Sequence, residues 1–165
     1  MDNKELNHSI TVEDILNLTN GKLIIGDKNQ ICEDYCRDSR EVKEKDIYLG
    51  IKGENINGSI FFEEAFENGA NGAILQDIEI TNDQLKKYQD KFIIIVEDTI
   101  KAMQQIAEYK RNLYDIPVIA ITGSVGKTST KDMVSSVVNE KYKTLKTSGN
   151  YNNHIGVPLT ILKLK

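Results

Sequence analysis

Residues 118–129 read Val118-Ile119-Ala120-Ile121-Thr122-Gly123-Ser124-Val125-Gly126-Lys127-Thr128-Ser129. The first four form a continuous apolar run suited to a strand buried on both faces of a parallel sheet. The small residues that follow let the backbone curl round an anion with its N–H groups inward, and a helix predicted from about Thr128 to Lys141 adds its positive end. Lys127 can reach the β and γ phosphates of a nucleotide, and the Thr128 hydroxyl can ligate Mg²⁺. The longer pattern G-x-x-x-x-G-K-[ST] is not met, because Ile121 stands five positions before Gly126; this is the shorter form. Thr122, Gly123, Ser124, Val125, Gly126, Lys127, Thr128 and Ser129 are therefore the candidate ATP-binding residues. Lys127 and Thr128 are the candidate catalytic groups, and Thr128 the candidate metal ligand. A Gly-Lys-Thr also arises by chance at helix starts, but the buried strand before it and the amphipathic helix after it favour nucleotide binding.

Downstream, Met133, Val134, Val137 and Val138 mark the inward face of that helix, and Tyr142 to Thr147 reads as the next strand, completing one βαβ unit. Upstream, Asp98-Thr99 can cap a helix running to about Asn112, with Ile100, Met103, Ile106 and Ala107 on one face. The domain boundary is expected here: residues 1–98 form one domain and residues 99–165 begin another. Within the first, Thr11 to Leu18 is a short capped helix, and the Gly21 to Asp27 segment a strand closed by Gly26-Asp27. Ile31 to Tyr35 is extended, Asp46 to Ile51 a strand, Gly53 to Ser59 a loop, and Ile60 to Asn68 a helix ended by Gly69. Strands at Ala73 to Leu75 and Phe92 to Val96, joined by a charged connection, complete it. The fold class is α/β: a small N-terminal α/β domain followed by the start of a phosphate-loop α/β domain.

The chain has 165 residues and a formal net charge of −4, which argues against a dedicated nucleic-acid binder. With 39% hydrophobic and 28% charged residues it reads as a globular protein rather than a disordered one. Its apolar runs fall far below the ~20 residues a membrane span needs, and residues 1–10 lack a signal-peptide core, so a cytoplasmic location is expected. Cys32 and Cys36 have no further Cys or His at zinc-ligand spacing and read as reduced thiols.

Three segments together resemble a known family. The stretch IAITGSVGKTSTKD around the phosphate loop, SGNYNNHIGVPLTIL after it, and DSREVKEKDIYLGIKGENINGSIFFEEAFENGANGAIL before it are similar to the Mur ligases of bacterial peptidoglycan synthesis. Gly149 to Pro158 favours the member that joins D-alanyl-D-alanine to UDP-N-acetylmuramoyl-tripeptide over the sister ligase that adds the third peptide residue. The resemblance implies that the N-terminal domain holds the UDP end of the substrate and the next domain holds ATP. Carried over by match, Asp38-Ser39-Arg40 and the loop at Gly53, Glu54 and Asn55 face the uridine diphosphate. A hydroxyl, a guanidinium and a Gly-rich turn also suit a pyrophosphate on chemical grounds, although Arg40 could instead pair with Glu41 or Glu44. Lys45-Asp46-Ile47-Tyr48 and Asn57-Gly58-Ser59 depart from the family's usual Gly-Asp-Leu-Phe and Asp-Gly-His. Asn150, Asn152 and Asn153 lie, by resemblance, near the γ phosphate, its metal or the reacting end of the substrate; asparagine clusters are equally common turn formers. His154 is given no role.

The implied reaction is ATP-dependent amide formation through an acyl phosphate, with ATP and Mg²⁺ as cofactors. Only 36 residues follow Ser129, about one βαβ unit where a doubly wound nucleotide domain needs several. The chain is therefore expected to be a fragment without turnover of its own. Residues 99–165 are expected to be marginally packed, since a two-stranded sheet cannot bury both faces of Val118 to Ile121, and dimerisation or strand exchange could cover them. A non-catalytic UDP-sugar or nucleotide-binding module is the rival from another class. A phosphate-loop GTPase lacks support, because no Asn-Lys-x-Asp segment is present.

Overall fold

The computed structural model describes residues 9–149 and 151–165. Its strands are β1 (Ile10–Thr11), β2 (Lys22–Ile25), β3 (Ile31–Cys32), β4 (Tyr35–Cys36), β5 (Ile47–Leu49), β6 (Gly72–Leu75) and β7 (Phe92–Ile95). The helices are α1 (Val12–Thr19), α2 (Phe62–Glu67), α3 (Asn82–Lys87), α4 (Thr99–Asn112), α5 (Lys127–Asn139) and α6 (Gly156–Ile161). A central sheet has the order β2-β7-β6-β5-β4, and β1 pairs separately with β3. β4 to β7 run parallel, while β2 joins the β7 edge antiparallel.

The period-2 alternation of strand side chains divides the core into two layers. Ile47 and Leu49, Ile74, and Phe92 and Ile94 face one side, where α1, α4 and α6 supply Val12, Ile15, Met103, Ile106, Leu159 and Leu162. Tyr48, Ala73, Leu75 and Ile93 face the other, against Phe62, Ala65 and Phe66 of α2 and against Tyr88. Fully burying each Ile, Leu or Phe contributes roughly 1.5–3 kcal/mol, so these layers carry the fold. Gly72 lies directly opposite Phe92, and a Cβ there would sit 2.2 Å from the Phe92 ring. Only glycine lets β6 and β7 approach with that ring between the strand and its helices.

Caps follow the residues that promised them. Thr11 Oγ1 accepts from Asp14 N and Asp14 returns the bond to Thr11 N, closing a capping box on α1. Asp98 Oδ1 accepts from Ile100 N and Lys101 N at the start of α4. The expected division at 98/99 thus falls at the first turn of α4, yet the buried face of α4 lies in the same core as the sheet. Lys110, in the last turn of α4, is buried and donates to the carbonyls of Leu162 (2.7 Å) and Glu33 (3.1 Å). α6 is thereby fastened to α4 and to the β3–β4 turn.

Between α4 and α6 the structure departs from the sequence reading. The strands expected at Val118 to Ile121 and Tyr142 to Thr147 are absent among the described residues, and no βαβ unit forms there. Val118 and Ile119 are 65% and 63% exposed. A strand cannot satisfy its backbone N–H and C=O groups from within, and without neighbouring strands this apolar run stays unpaired. α5 forms as expected, but Met133 and Val137 face solvent, Val134 and Val138 are only half-buried, and no residue of it is buried. The marginal packing expected for 99–165 is therefore confined to the segment between α4 and α6. Two helices escaped the sequence reading, α3 in the charged connection and α6 itself. Among the described residues no helix is long and apolar enough to cross a membrane.

Candidate functional site

In open α/β sheets ligands bind beyond the carboxyl ends of the parallel strands. At that edge stand Asp38-Ser39-Arg40 after β4, Gly50 to Asn57 after β5, Gln76-Asp77 after β6 and Asp98-Thr99 after β7. The post-β5 segment is a tight hairpin: Lys52 bridges Asn57, and Gly53 N donates to Ile56 O at 2.9 Å. Lys52, Gly53, Glu54, Gln76, Asp98 and Ile100 line an open depression of about 300 Å³, with Asn55 exposed on the hairpin beside it. Its floor is a buried polar relay. Ser59 Oγ donates to Gly50 O and accepts from Gln76 N, while Gln76 Oε1 accepts from both Thr99 N and Thr99 Oγ1 at 2.7 Å. At the rim, Lys52 Nζ pairs with Asp77 at 2.6 Å, and this bond holds the Asp77 carboxyl below its ordinary range.

The 3-10 turn Ser39–Glu41 is capped by Asp38, whose Oδ1 accepts from Arg40 N. Arg40 also grips Asp38 with Nε (2.9 Å) and Nη2 (2.6 Å), so its ion-pair partner is Asp38 and neither Glu41 nor Glu44. The guanidinium bonds lower the Asp38 pKa to about 2, while Arg40 itself is 78% exposed and free to meet an anion on its outer side. Ser39 is different. It is buried, its hydroxyl donates to Glu64 Oε2, and its carbonyl accepts from Asn68 Nδ2 at 2.9 Å.

Thr122 to Gly126 form an exposed curl ahead of α5, and Lys127 to Ser129 are the exposed first residues of that helix. Gly126 is the N-cap with φ 79°, a left-handed conformation that glycine adopts without the Cβ penalty. No side chain caps the helix, and nothing lies within 4 Å of where a Gly126 Cβ would stand. The first-turn amides, which have no intrahelical acceptors, are therefore open to an anion. Lys127 Nζ folds back to Gly123 O at 2.6 Å, so an arriving phosphate must take the ammonium from that carbonyl. Among the described residues no three His, Cys, Asp or Glu converge on a metal-holding group. The exposed Thr128 hydroxyl suits a Mg²⁺ that arrives on phosphate and keeps waters as its other ligands.

The asparagine segment divides. Asn153 Oδ1 accepts from Ile155 N and Gly156 N, the N-cap and first residue of α6, so its side chain is engaged with the backbone there. Asn152 is exposed, and Asn150 lies outside the described residues. Tyr151 stands 5.9 Å from the Arg37 guanidinium, and Gln104 Nε2 donates to His154 O, so this segment lies beside the β4 end of the edge. Among the described residues no hydrogen bond or ion pair joins residues 122–129 to that edge. The structure thus gathers residues 38–40 and 53–55 on one edge and leaves the phosphate loop apart. Sequence reasoning missed Gln76, which directly follows an apolar strand and could have been found on that ground. It also missed Glu64 and Asn68, for which no local signal exists.

Comparison with known proteins is concordant along the chain. The family profile "Mur ligase family, catalytic domain" matches residues 36–111, and "Mur ligase middle domain" matches residues 121–165. The UDP-N-acetylmuramoyl-tripeptide--D-alanyl-D-alanine ligase of Bacillus subtilis is 37% identical over 155 residues, covering 93% of this chain and 33% of its own length. Crystal structure II of MurF from Acinetobacter baumannii superposes with a TM-score of 0.79 at 31% identity, over 95% of this chain and 33% of that one. MurF ligase from Thermotoga maritima, solved in complex with ADP, gives 0.65 at 32% identity, over 79% and 29%. The chain spans about a third of the length of the curated relatives it matches.

Proposed function

This chain belongs to the Mur ligase family, and on that premise we propose that it supplies the UDP-substrate edge and the ATP-gripping loop of an ATP-dependent amide ligase. The reaction joins D-alanyl-D-alanine to UDP-N-acetylmuramoyl-tripeptide, the activity named for its relatives; those names favour it over the sister ligase and over a non-catalytic module. Residues 1–98 hold the UDP end of the substrate, and residues 99–165 begin the ATP-binding part, with α4 packed against the former.

A carboxylate resists attack by an amine because its oxide is a poor leaving group. Transfer of the γ-phosphoryl group to the terminal carboxylate of the tripeptide releases ADP and creates an acyl phosphate. The D-alanyl-D-alanine amine then adds to the acyl carbon, and phosphate departs with the C–O electron pair as the nitrogen loses its proton. The residues of this chain position and neutralise. The open amides of Gly123 to Thr128 cradle the phosphates, and Lys127 offsets the charge that develops between β and γ. Thr128 would hold Mg²⁺, which supplies further charge neutralisation when bound. Arg40 and Lys52 offer cations on the edge where the sugar nucleotide docks.

The observation that carries this reading is the uncapped start of α5 with Lys127 folded across it. Calorimetry with ATP and Mg²⁺ tests it. Lys127→Ala removes a charge-assisted bond worth about 1.5–3 kcal/mol, a roughly ten- to hundredfold loss of affinity. Unchanged affinity refutes the assignment.

A further inference from the structure

α2 and its C-cap residue hold Ser39 at two points one helical turn apart: Glu64 accepts its hydroxyl proton and Asn68 donates to its carbonyl. A serine hydroxyl carries one proton and two lone pairs, whereas an ionised carboxylate only accepts. With its proton committed to Glu64, Ser39 Oγ has only lone pairs to offer a ligand. A phosphate oxygen, also an acceptor, finds no proton there and meets the charge of Glu64, which is exposed beside the hydroxyl. A ligand group bearing N–H or O–H finds a matched partner. Ser39 keeps only 6% of its surface exposed, too little for a diphosphate to lie against it.

Resting on the reading of residues 38–40 and 53–55 as a UDP site, we propose that Glu64 is a positioning residue. It makes Ser39 an acceptor-only contact for the imide N–H of uracil. Cytosine presents a lone pair at the same ring position, so the two acceptors clash and the base is rejected. This reverses the chemical role that a hydroxyl beside an arginine suggests in sequence, where Ser39 would donate to the pyrophosphate. The diphosphate is left to the outward-facing cations of the same edge.

UDP and CDP titrated calorimetrically into the unaltered chain and into Glu64→Gln, Glu64→Leu and Ser39→Ala test the proposal. The unaltered chain favours UDP by about tenfold or more, the discrimination expected of one matched against one unpaired buried hydrogen bond. Glu64→Gln preserves the preference, because its carbonyl oxygen still accepts the Ser39 proton. Glu64→Leu and Ser39→Ala collapse it to within about twofold. A merely structural role for Glu64 lowers both affinities in parallel and leaves their ratio intact, which overturns the proposal. Equal binding of UDP and CDP by the unaltered chain overturns it as well. Ser39→Ala, a small change, keeps the test decisive should Glu64→Leu not fold. Failure of the unaltered chain to bind UDP at all is a distinct result, which removes the UDP-site reading itself and the proposal with it.

Discussion

Lys110 Nζ donates to the carbonyl oxygen of Leu162 at 2.7 Å, tying the last turn of α4 to the C-cap of α6. A cation there also complements the negative end of α6. Burial pulls the Lys110 pKa below its ordinary value of 10.5, and carbonyls, not carboxylates, receive its protons. Lys110→Met keeps the volume but leaves both carbonyls without a donor. Urea unfolding should show a loss of roughly 1–3 kcal/mol.

The α4–α6 contact also predicts how the chain behaves when cut. Lys127, Lys141, Lys143 and Lys146 are exposed in the segment between the two helices. Brief trypsin treatment should nick there first, and the peptide carrying α6 should stay with the N-terminal piece through gel filtration under native conditions. Separation of the two would show that Leu159 and Leu162 do not hold in that core.

Alkaline pH should destabilise the fold through Cys32. Burial, aided by Asp14, raises its thiol from 9.0 to about 12. The folded pKa lies above the unfolded one, so this contribution is complete below pH 9 and is lost as pH rises toward 12, by up to roughly 4 kcal/mol. Tyr35, raised chiefly by burial, acts in the same direction above pH 10. Cys32→Ala should flatten the decline of the urea midpoint between pH 9 and 10.5. An unchanged slope would exclude Cys32 as its source.

The relay beneath the depression should behave as a unit. Thr99→Val removes one of two donors to Gln76 Oε1 and the acceptor of Lys52 N. The expected cost is roughly 1–3 kcal/mol of stability, read as a lower midpoint in thermal unfolding. UDP affinity should fall with it, because Lys52 and Gln76 both line the depression.

What the sequence disclosed was local. Thr11 with Asp14, and Asp98 at the head of α4, announced their helices through side chains three or fewer residues from the amides they satisfy. α3 carries the same signal, a capping box from Thr81 to Gln84, but none of its residues is buried and its apolar period is missing. α6 begins at Gly156 and contains Pro158, residues that read as a turn; within the first helical turn, however, Pro costs no hydrogen bond. Val118 to Ile121 shows the opposite failure, for strand formation depends on partners distant in sequence. The grip of Glu64 on Ser39 spans 25 residues and follows from topology alone.

Because α4 and α6 share one core, the span carrying Gly123 to Ser129 is a leash pinned at both ends. The cost of closing such a loop grows only with the logarithm of its length, so a long leash is tolerated. A tethered group stays at an effective concentration in the millimolar range near its anchor points. Residues 123–129 are therefore held close to the edge that carries Arg40 and Lys52, and any encounter between the two would be a search within one molecule.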